Sequence, residues 1–256
     1  MRRVEELWGT AIGVEVVDDV DPETVDALYR WFERVDELFS TWREDSEISR
    51  IGRGELAATN ASPEVATVLE LCDGVCRLSG GAFDITFGAR AALEPRPGLG
   101  PLDPSGLVKG WAVERAAAML LDAGARSFCI NAGGDVAVRG RPASGDAWLI
   151  GIQHPWERDK LAAVVRLVDG AVATSGCYER GDHVVDPRRG MPAHGLASVT
   201  VVGPDLTMAD AYATAAFALG PDGMAWLAER PSMEAMAVTD ARRVVTTAGF
   251  DRYRAS

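Results

Sequence analysis

Two oxygen-bearing side chains, Asp210 and Thr214, stand four residues apart in the segment MADAYATAAFAL. If this segment is helical, both side chains lie on one face, because residues i and i+4 are neighbours on a helix. A carboxylate and a hydroxyl together suit a hard cation such as Mg²⁺. The more common explanation is structural, with the carboxylate stabilising the helix dipole and the hydroxyl bonding back to the helix. Residue chemistry alone leaves both explanations open.

Glycine stands beside Asp, Lys or Ser at four places that fall at the ends of expected elements. Glycine there lets the backbone approach a ligand closely or adopt a positive φ. The four places are 80–84 (GGAFD), 103–110 (DPSGLVKG), 133–135 (GGD) and 174–176 (TSG). Lys109 follows a glycine-containing turn at a predicted helix start, where its charge can join backbone N–H groups in a phosphate site. The sequence has no Walker A loop and no GxGxxG after a strand, so a standard P-loop or Rossmann site is not expected.

Of the three histidines, His183 is the one best placed to do chemistry, because it begins the segment HVVDPR, a strand that runs into a turn. A single histidine is more often structural than catalytic. The sequence contains no G-x-S-x-G elbow and no Ser-His-Asp ordering, so it does not predict a serine hydrolase. Cys72 and Cys76 are four residues apart but have no further Cys or His at zinc-finger spacing, which indicates small buried residues on one helix face.

Composition and charge restrict the class of protein to which the chain can belong. The chain has 256 residues, of which 47% are hydrophobic and 25% charged, and a net charge of −12, which is typical of a globular domain. The negative charge disfavours nucleic acid and anionic membranes as partners. The first residues contain no signal-peptide core, and no run reaches the about 18 apolar residues of a membrane helix. We therefore expect a cytoplasmic, reduced protein without a membrane anchor in this chain.

The elements that must position these residues follow from hydrophobic periodicity. The spacing predicts helices over 23–39, from 62 onward, over 109–121 and over 208–219. The first of these helices has apolar residues at helical spacing, namely Val25, Leu28, Phe32, Val35 and Leu38, and Asp21 before Pro22 is its expected N-cap. The periodicity predicts strands over 10–17, 127–131, 136–139, 148–152, 162–167, 171–174 and 198–202, and a last strand and turn over 235–246. Helices cluster in the first half and hairpin-like strands in the second, so the fold class is α+β rather than doubly wound. We expect a single domain over 1–256, which a Gly/Pro-rich hinge near 94–104 could divide into two interlocked lobes.

Eight motifs, in order through almost the whole chain, resemble those of the ApbE family, the FAD:protein FMN transferases. They are 39–50 (FSTWREDSEISR), 80–86 (GGAFDIT), 103–110 (DPSGLVKG), 131–135 (NAGGD), 173–176 (ATSG), 183–188 (HVVDPR), 195–201 (GLASVTV) and 209–215 (ADAYATA). The resemblance implies an ApbE-like fold of mixed, mostly antiparallel sheets flanked by helices. It also implies that Asp210 and Thr214 hold Mg²⁺ together with the backbone carbonyl of Gly106. The flavin contacts that it implies are Trp8, Trp42, Ala82, Phe83, Asp84, Asp103, Lys109 and Val184.

The reaction that the resemblance implies is attack by a Thr or Ser hydroxyl of an acceptor protein on the FMN phosphorus of FAD, which forms a phosphoester and releases AMP. Mg²⁺ would stabilise the phosphate charge, and His183 is the candidate base for the hydroxyl proton. Two alternatives remain: an FAD pyrophosphatase, with water as the nucleophile, and a non-catalytic FAD-binding protein.

Overall fold

The computed structural model describes residues 1–87, 102–176 and 185–255. The predicted site residues His183 and Val184 lie outside the described residues, as does most of the predicted hinge near 94–104. All other predicted site residues lie within them.

The centre of the fold is an eight-stranded sheet in which every neighbouring pair of strands is antiparallel. In spatial order its strands are β1 (Arg2–Leu7), β2 (Thr10–Val16), β3 (Phe128–Ala132), β4 (Asp135–Arg139), β7 (Gly170–Gly176), β10 (Leu196–Gly203), β11 (Glu234–Thr239) and β12 (Val244–Thr246). Two separate hairpins complete the described strands: β5 (Trp148–Gln153) with β6 (Leu161–Leu167), and β8 (Val185–Asp186) with β9 (Met191–Pro192).

The described part of the chain contains six α-helices, and the four predicted helices are among them. They are α1 (Pro22–Phe39), α2 (Glu47–Gly52), α3 (Pro63–Leu78), α4 (Ser105–Asp122), α5 (Leu206–Leu219) and α6 (Gly223–Ala228). The Asp21 carboxylate caps α1 by accepting the N–H of Glu23 at 2.9 Å, as the sequence predicts. Helix α4 begins at Ser105, four residues before its predicted start, and the N–H of Ser105 donates to the Asp103 carboxylate at 3.0 Å.

The central sheet is covered differently on its two faces. The helices pack on one face, and the β5–β6 hairpin packs on the other together with the turn around Phe250. Strand β7 shows the division, because Ala171 and Ala173 belong to the helix-side core while Val172 belongs to the hairpin-side core. Successive side chains on a strand point to opposite faces, so β7 contributes to both cores.

The architecture confirms the predicted α+β class with mostly antiparallel sheets. The short elements β9, α2 and α6 and the strongly polar strand β1 were not predicted from the sequence. Strand β8 lies within the segment HVVDPR, for which a strand that runs into a turn was predicted. The last predicted strand and turn form a hairpin, in which β11 turns between 239 and 244 into the further short strand β12. Among the described residues, no helix is both long and apolar enough to cross a membrane.

Candidate metal and flavin site

The three predicted metal-binding residues meet where α4 and α5 touch. Asp210 is buried, with 5% of its surface exposed, and its Oδ2 accepts the backbone N–H of Gly110 at 3.0 Å. Thr214, one turn further along α5, lies against Gly106. A Cβ placed on Gly106 would be 3.1 Å from Thr214 Oγ1, so a side chain at this position would crowd the hydroxyl. Residues about 100 positions apart therefore form one small polar cluster.

The backbone of α4 also serves this cluster. In a regular helix the N–H of Gly110 points to the carbonyl of Gly106, four residues earlier. Here that N–H donates to the Asp210 carboxylate. A carbonyl oxygen has two lone pairs, and the helix uses at most one of them. The Gly106 carbonyl can therefore accept a further partner, such as a cation.

Ser175, near the end of β7, is a polar neighbour of the cluster; it belongs to the motif at 173–176 but was not predicted as a site residue. Its Oγ lies 3.2 Å from Thr214 Oγ1, close enough for a hydrogen bond in either direction. In either direction this bond restrains the orientation of the Thr214 hydroxyl and leaves that oxygen at least one lone pair for a cation. The signal that could have identified it is the strand period, which places Ser175 on the same face as Ala171 and Ala173.

The segment after α3 reaches the same cluster through Phe83. The Phe83 ring is buried, and its Cε2 would be 3.3 Å from a Cβ on Gly106. Ala82 beside it is also buried. Asp84 holds the following turn, because its Oδ1 accepts both the N–H of Thr86 at 2.8 Å and its hydroxyl at 2.7 Å. The N–H of Asp103 donates to the carbonyl of Ile85 at 2.7 Å, which brings the beginning of α4 against this turn.

Lys109 lies in the second turn of α4, not at the helix start that the sequence predicted. Its ammonium forms an ion pair with Asp135 at 2.8 Å. Asp135 is 1% exposed, and its other oxygen accepts the N–H of Thr174 at 3.0 Å. A buried carboxylate is stable only when paired and hydrogen-bonded, so this ion pair fixes the position of the lysine charge near the cluster.

The two tryptophans predicted to contact flavin have different surroundings. Trp8 is part of the fold: its indole N–H donates to the carbonyl of Phe32 at 3.1 Å, and its ring packs edge-on against the Phe32 ring at 5.4 Å. Trp42 follows α1 and is 71% exposed. Trp42 thus presents most of its surface to solvent, whereas Trp8 packs in the interior against Phe32.

The β8–β9 hairpin borders the 80–84 segment. Arg188 approaches Gly81, where a Cβ would be 3.9 Å from Arg188 Cγ. Two guanidinium nitrogens of Arg188 donate to the buried Asp186 carboxylate, each at 2.8 Å. These hydrogen bonds hold the pKa of Asp186 below its usual value. The hairpin is thereby fixed directly after the predicted residues His183 and Val184.

The donor chemistry of the cluster suits a hard cation. Within the described residues, no three His, Cys, Asp or Glu side chains gather in a way that could hold a metal. A cation between α4 and α5 would thus rely on one carboxylate, a hydroxyl and a carbonyl, all of them oxygen donors. Oxygen donors favour Mg²⁺ over Zn²⁺, which prefers His and Cys.

Two solved structures share this fold. The flavin transferase ApbE from Vibrio cholerae superposes with a TM-score of 0.87 and 23% identity, covering 99% of this chain and 98% of that chain. An ApbE protein from Thermotoga maritima superposes with a TM-score of 0.87 and 24% identity, covering 100% and 99%. The architecture is therefore that of the ApbE fold.

Sequence comparison identifies the family. The model of the ApbE family matches residues 8–94 and 91–237. The FAD:protein FMN transferase of Vibrio cholerae is 27% identical, covering 97% of this chain and 88% of its own length. The FAD:protein FMN transferase of Haemophilus influenzae is 26% identical, covering 88% and 82%. The chain belongs to the ApbE family.

Proposed function

We propose that this chain transfers FMN from FAD to a Thr or Ser hydroxyl of an acceptor protein, and that Mg²⁺ held by Gly106, Asp210 and Thr214 supports the reaction. The relatives that carry the name FAD:protein FMN transferase support the transfer. The observation that carries the metal site is the meeting of a buried carboxylate, a hydroxyl and a side-chain-free backbone between α4 and α5.

The residues present fit Mg²⁺. The Asp210 carboxylate is buried at the contact of α4 and α5, one helical turn from the Thr214 hydroxyl, so the donors that face this contact are oxygens. Mg²⁺ usually binds to one or two carboxylates and completes its coordination with water and substrate phosphates. When bound, Mg²⁺ would neutralise charge on the FAD pyrophosphate and on the departing AMP.

The chain's own residues would bind FAD and handle the proton. The exposed ring of Trp42 can stack on the flavin, and Phe83 forms apolar surface beside the metal site. Lys109, fixed by Asp135, places a positive charge near the phosphates of an anionic substrate in a chain whose net charge is −12. Asp84 and Asp103 offer acceptors for ribose or ring groups. His183 and Val184, which precede the β8–β9 hairpin, remain our candidates for the base and for a flavin contact.

The proposed transfer is a displacement at phosphorus, in which one bond to phosphorus forms and another breaks. The acceptor hydroxyl oxygen forms a bond to the FMN phosphorus, and the bond between that phosphorus and the bridging oxygen breaks. AMP leaves with the bridging oxygen, and the hydroxyl proton passes to His183.

The cytoplasmic location remains a prediction, as does the hinge near 94–104.

The test is an assay of the purified chain with FAD, with and without Mg²⁺ and a co-expressed acceptor domain. We expect AMP release that depends on the acceptor, and an FMN adduct on a Thr or Ser in the mass spectrum. EDTA and Asp210→Ala should each abolish both signals. The matched control is Asp122→Ala, which removes an exposed carboxylate at the end of α4 and should retain activity.

Two other outcomes identify the alternatives. AMP release that the acceptor does not change, without labelled protein, identifies an FAD pyrophosphatase. Tight FAD binding without turnover, which survives EDTA and Asp210→Ala, identifies a non-catalytic flavin-binding protein.

A further inference from the structure

Helices α4 and α5 touch at three places spaced by one helical turn. Glu114 contacts Leu206, Gly110 contacts Asp210, and Gly106 contacts Thr214. On each helix the three residues are four positions apart and so form one stripe along its surface. The two stripes run in opposite directions, so the helices are antiparallel at this contact. Two of the three places contain predicted metal-binding residues, and the third contains Glu114.

Glu114 joins three elements through its two oxygens. Its Oε1 accepts the backbone N–H of Leu206 at 2.7 Å, at the first residue of α5. Its Oε2 accepts Nη2 of Arg139, on β4, at 2.8 Å. The Glu114 and Arg139 side chains are only 14% and 18% exposed. Burial raises the pKa of Glu114, and that cost is offset in part by these two partners.

The contact leaves little room for α5 to move. A Cβ on Gly110 would be 2.4 Å from the Leu206 carbonyl oxygen and 2.9 Å from Asp210 Cβ, so the two backbones already lie as close as glycine permits. The Leu206 carbonyl thus rests on Gly110 while the Leu206 N–H is held by Glu114. Because a helical turn is rigid, fixing Leu206 also fixes Asp210, one turn further along.

We infer that Glu114 is a positioning residue of the metal site, which sets the distance of Asp210 and Thr214 from the Gly106 carbonyl by anchoring the first residue of α5 to α4. This inference rests on the proposed Mg²⁺ site. The hydrogen bonds of Glu114 go to Leu206 and Arg139, so we assign it an effect on the site through α5.

Two conservative substitutions separate anchoring from a simple buried ion pair. Glu114→Gln keeps the length of the side chain and an oxygen for the Leu206 N–H, but removes the charge that faces Arg139. Glu114→Asp keeps the charge but withdraws the oxygens by about 1.5 Å, the length of one C–C bond. The long Arg139 side chain, whose Nη1 also donates to the carbonyls of Val138 at 2.9 Å and Gly170 at 3.3 Å, can follow more of that withdrawal than the backbone N–H of Leu206, which α5 holds in place. Anchoring therefore predicts that Asp is the more harmful replacement, and an ion-pair role predicts that Gln is.

The first measurement is titration of each purified full-length variant with Mg²⁺ alone by calorimetry. We expect Glu114→Asp to weaken Mg²⁺ binding on the order of 10-fold, the lower end of the usual cost of removing an outer-shell partner. We expect Glu114→Gln to stay within about 3-fold of the wild type, because its oxygen still accepts a hydrogen bond. Equal affinities of the Asp variant and the wild type would overturn the inference, as would a Gln variant weaker than the Asp variant.

The second measurement is amide hydrogen exchange over residues 206–210, which needs no metal. We expect faster exchange in Glu114→Asp than in Glu114→Gln or the wild type. The control is Val165→Ala, on the hairpin side of the sheet, where a fully buried side chain is truncated. It should lower the melting temperature without changing either readout.

The exchange experiment separates failure of this inference from failure of the proposed function. A wild type that binds no Mg²⁺ would refute the metal proposal and, with it, the role of Glu114 in that site. Wild-type binding that Asp210→Ala abolishes, combined with unchanged exchange and affinity in Glu114→Asp, would leave the metal proposal intact and refute the inference alone.

Discussion

Single residues with the same predicted role differ in how much of their side chain is already used by the fold. Trp8 and Trp42 are both implied flavin contacts, yet Trp8 bonds and packs against Phe32 while Trp42 is 71% exposed. An exposed ring that stacks on a ligand contributes to binding alone. A ring with an interior partner contributes to stability as well, so substitution separates the two roles.

We expect Trp42→Ala to weaken FAD binding by about 0.5–1.5 kcal/mol, the range for an aromatic pair, and to leave the melting temperature almost unchanged. Trp8→Ala should lower the free energy of unfolding by roughly 1–3 kcal/mol, because it removes the bond to Phe32 and the ring contact. Fluorescence titration with FAD and thermal unfolding measure the two effects. A Trp42→Ala variant that binds FAD as the wild type does would contradict this assignment.

At the scale of elements, the α4–α5 contact depends on glycine at positions where an ordinary helix would favour alanine. Gly110 lies inside α4, so replacing it with alanine should improve helix propensity by about 1 kcal/mol. The added Cβ would, however, meet the Leu206 carbonyl oxygen at 2.4 Å. Backbone cannot yield as a flexible side chain does, so overpacking should outweigh propensity.

We expect Gly110→Ala to destabilise the protein by about 1–3 kcal/mol, as overpacked sites do, and to weaken Mg²⁺ binding because α5 must move away. Gly74→Ala in α3 is the matched control: no atom lies within 4 Å of its Cβ position, so it should stabilise by about 0.4–1 kcal/mol. Urea unfolding of both variants measures the difference. A Gly110→Ala variant as stable as Gly74→Ala would show that the contact is looser than the distances indicate.

At the scale of the whole molecule, stability in acid depends on carboxylates whose pKa the fold has changed. Asp18 accepts the backbone N–H groups of Arg126 and Ser127 at 2.7 and 2.6 Å, and these bonds lower its pKa from the usual 3.8. Hydrogen bonds from Arg188 lower the pKa of Asp186 in the same way. The pKa of Glu114 is instead raised by burial.

The direction of each shift determines the pH dependence. The stabilisation from Asp18 is complete above its unfolded pKa of about 3.8 and disappears as the pH falls through the lower folded value. Glu114 acts in the opposite direction, because its raised pKa reduces stability as the pH rises through 4.5 and above.

We expect Asp18→Asn to be less stable than the wild type at pH 7, with the difference shrinking below pH about 4. Urea unfolding across this range measures it, and a constant difference would contradict the assignment.

The sequence by itself determined the local elements, because their periodicity depends only on neighbouring residues. Val25, Leu28, Phe32 and Val35 predicted α1, and the Asp21 cap was predicted with it. The order of motifs predicted the family. Periodicity did not predict the order of the strands in the sheet, because β4 pairs with β7 and not with the next strand in the chain. Such pairing depends on which apolar faces the helices and the β5–β6 hairpin cover.

The candidate site, too, was predicted from the sequence only in part. The spacing of Asp210 and Thr214 predicted that they share a helix face, since four residues make about one turn. Only the tertiary structure decided what meets that face. Gly110 lies 100 residues from Asp210 in the chain, Ser175 lies 39 from Thr214, and Glu114 lies 92 from Leu206. These contacts form because two helices approach as closely as glycine allows, and that approach depends on the packing of both helices on the sheet, which no local pattern specifies.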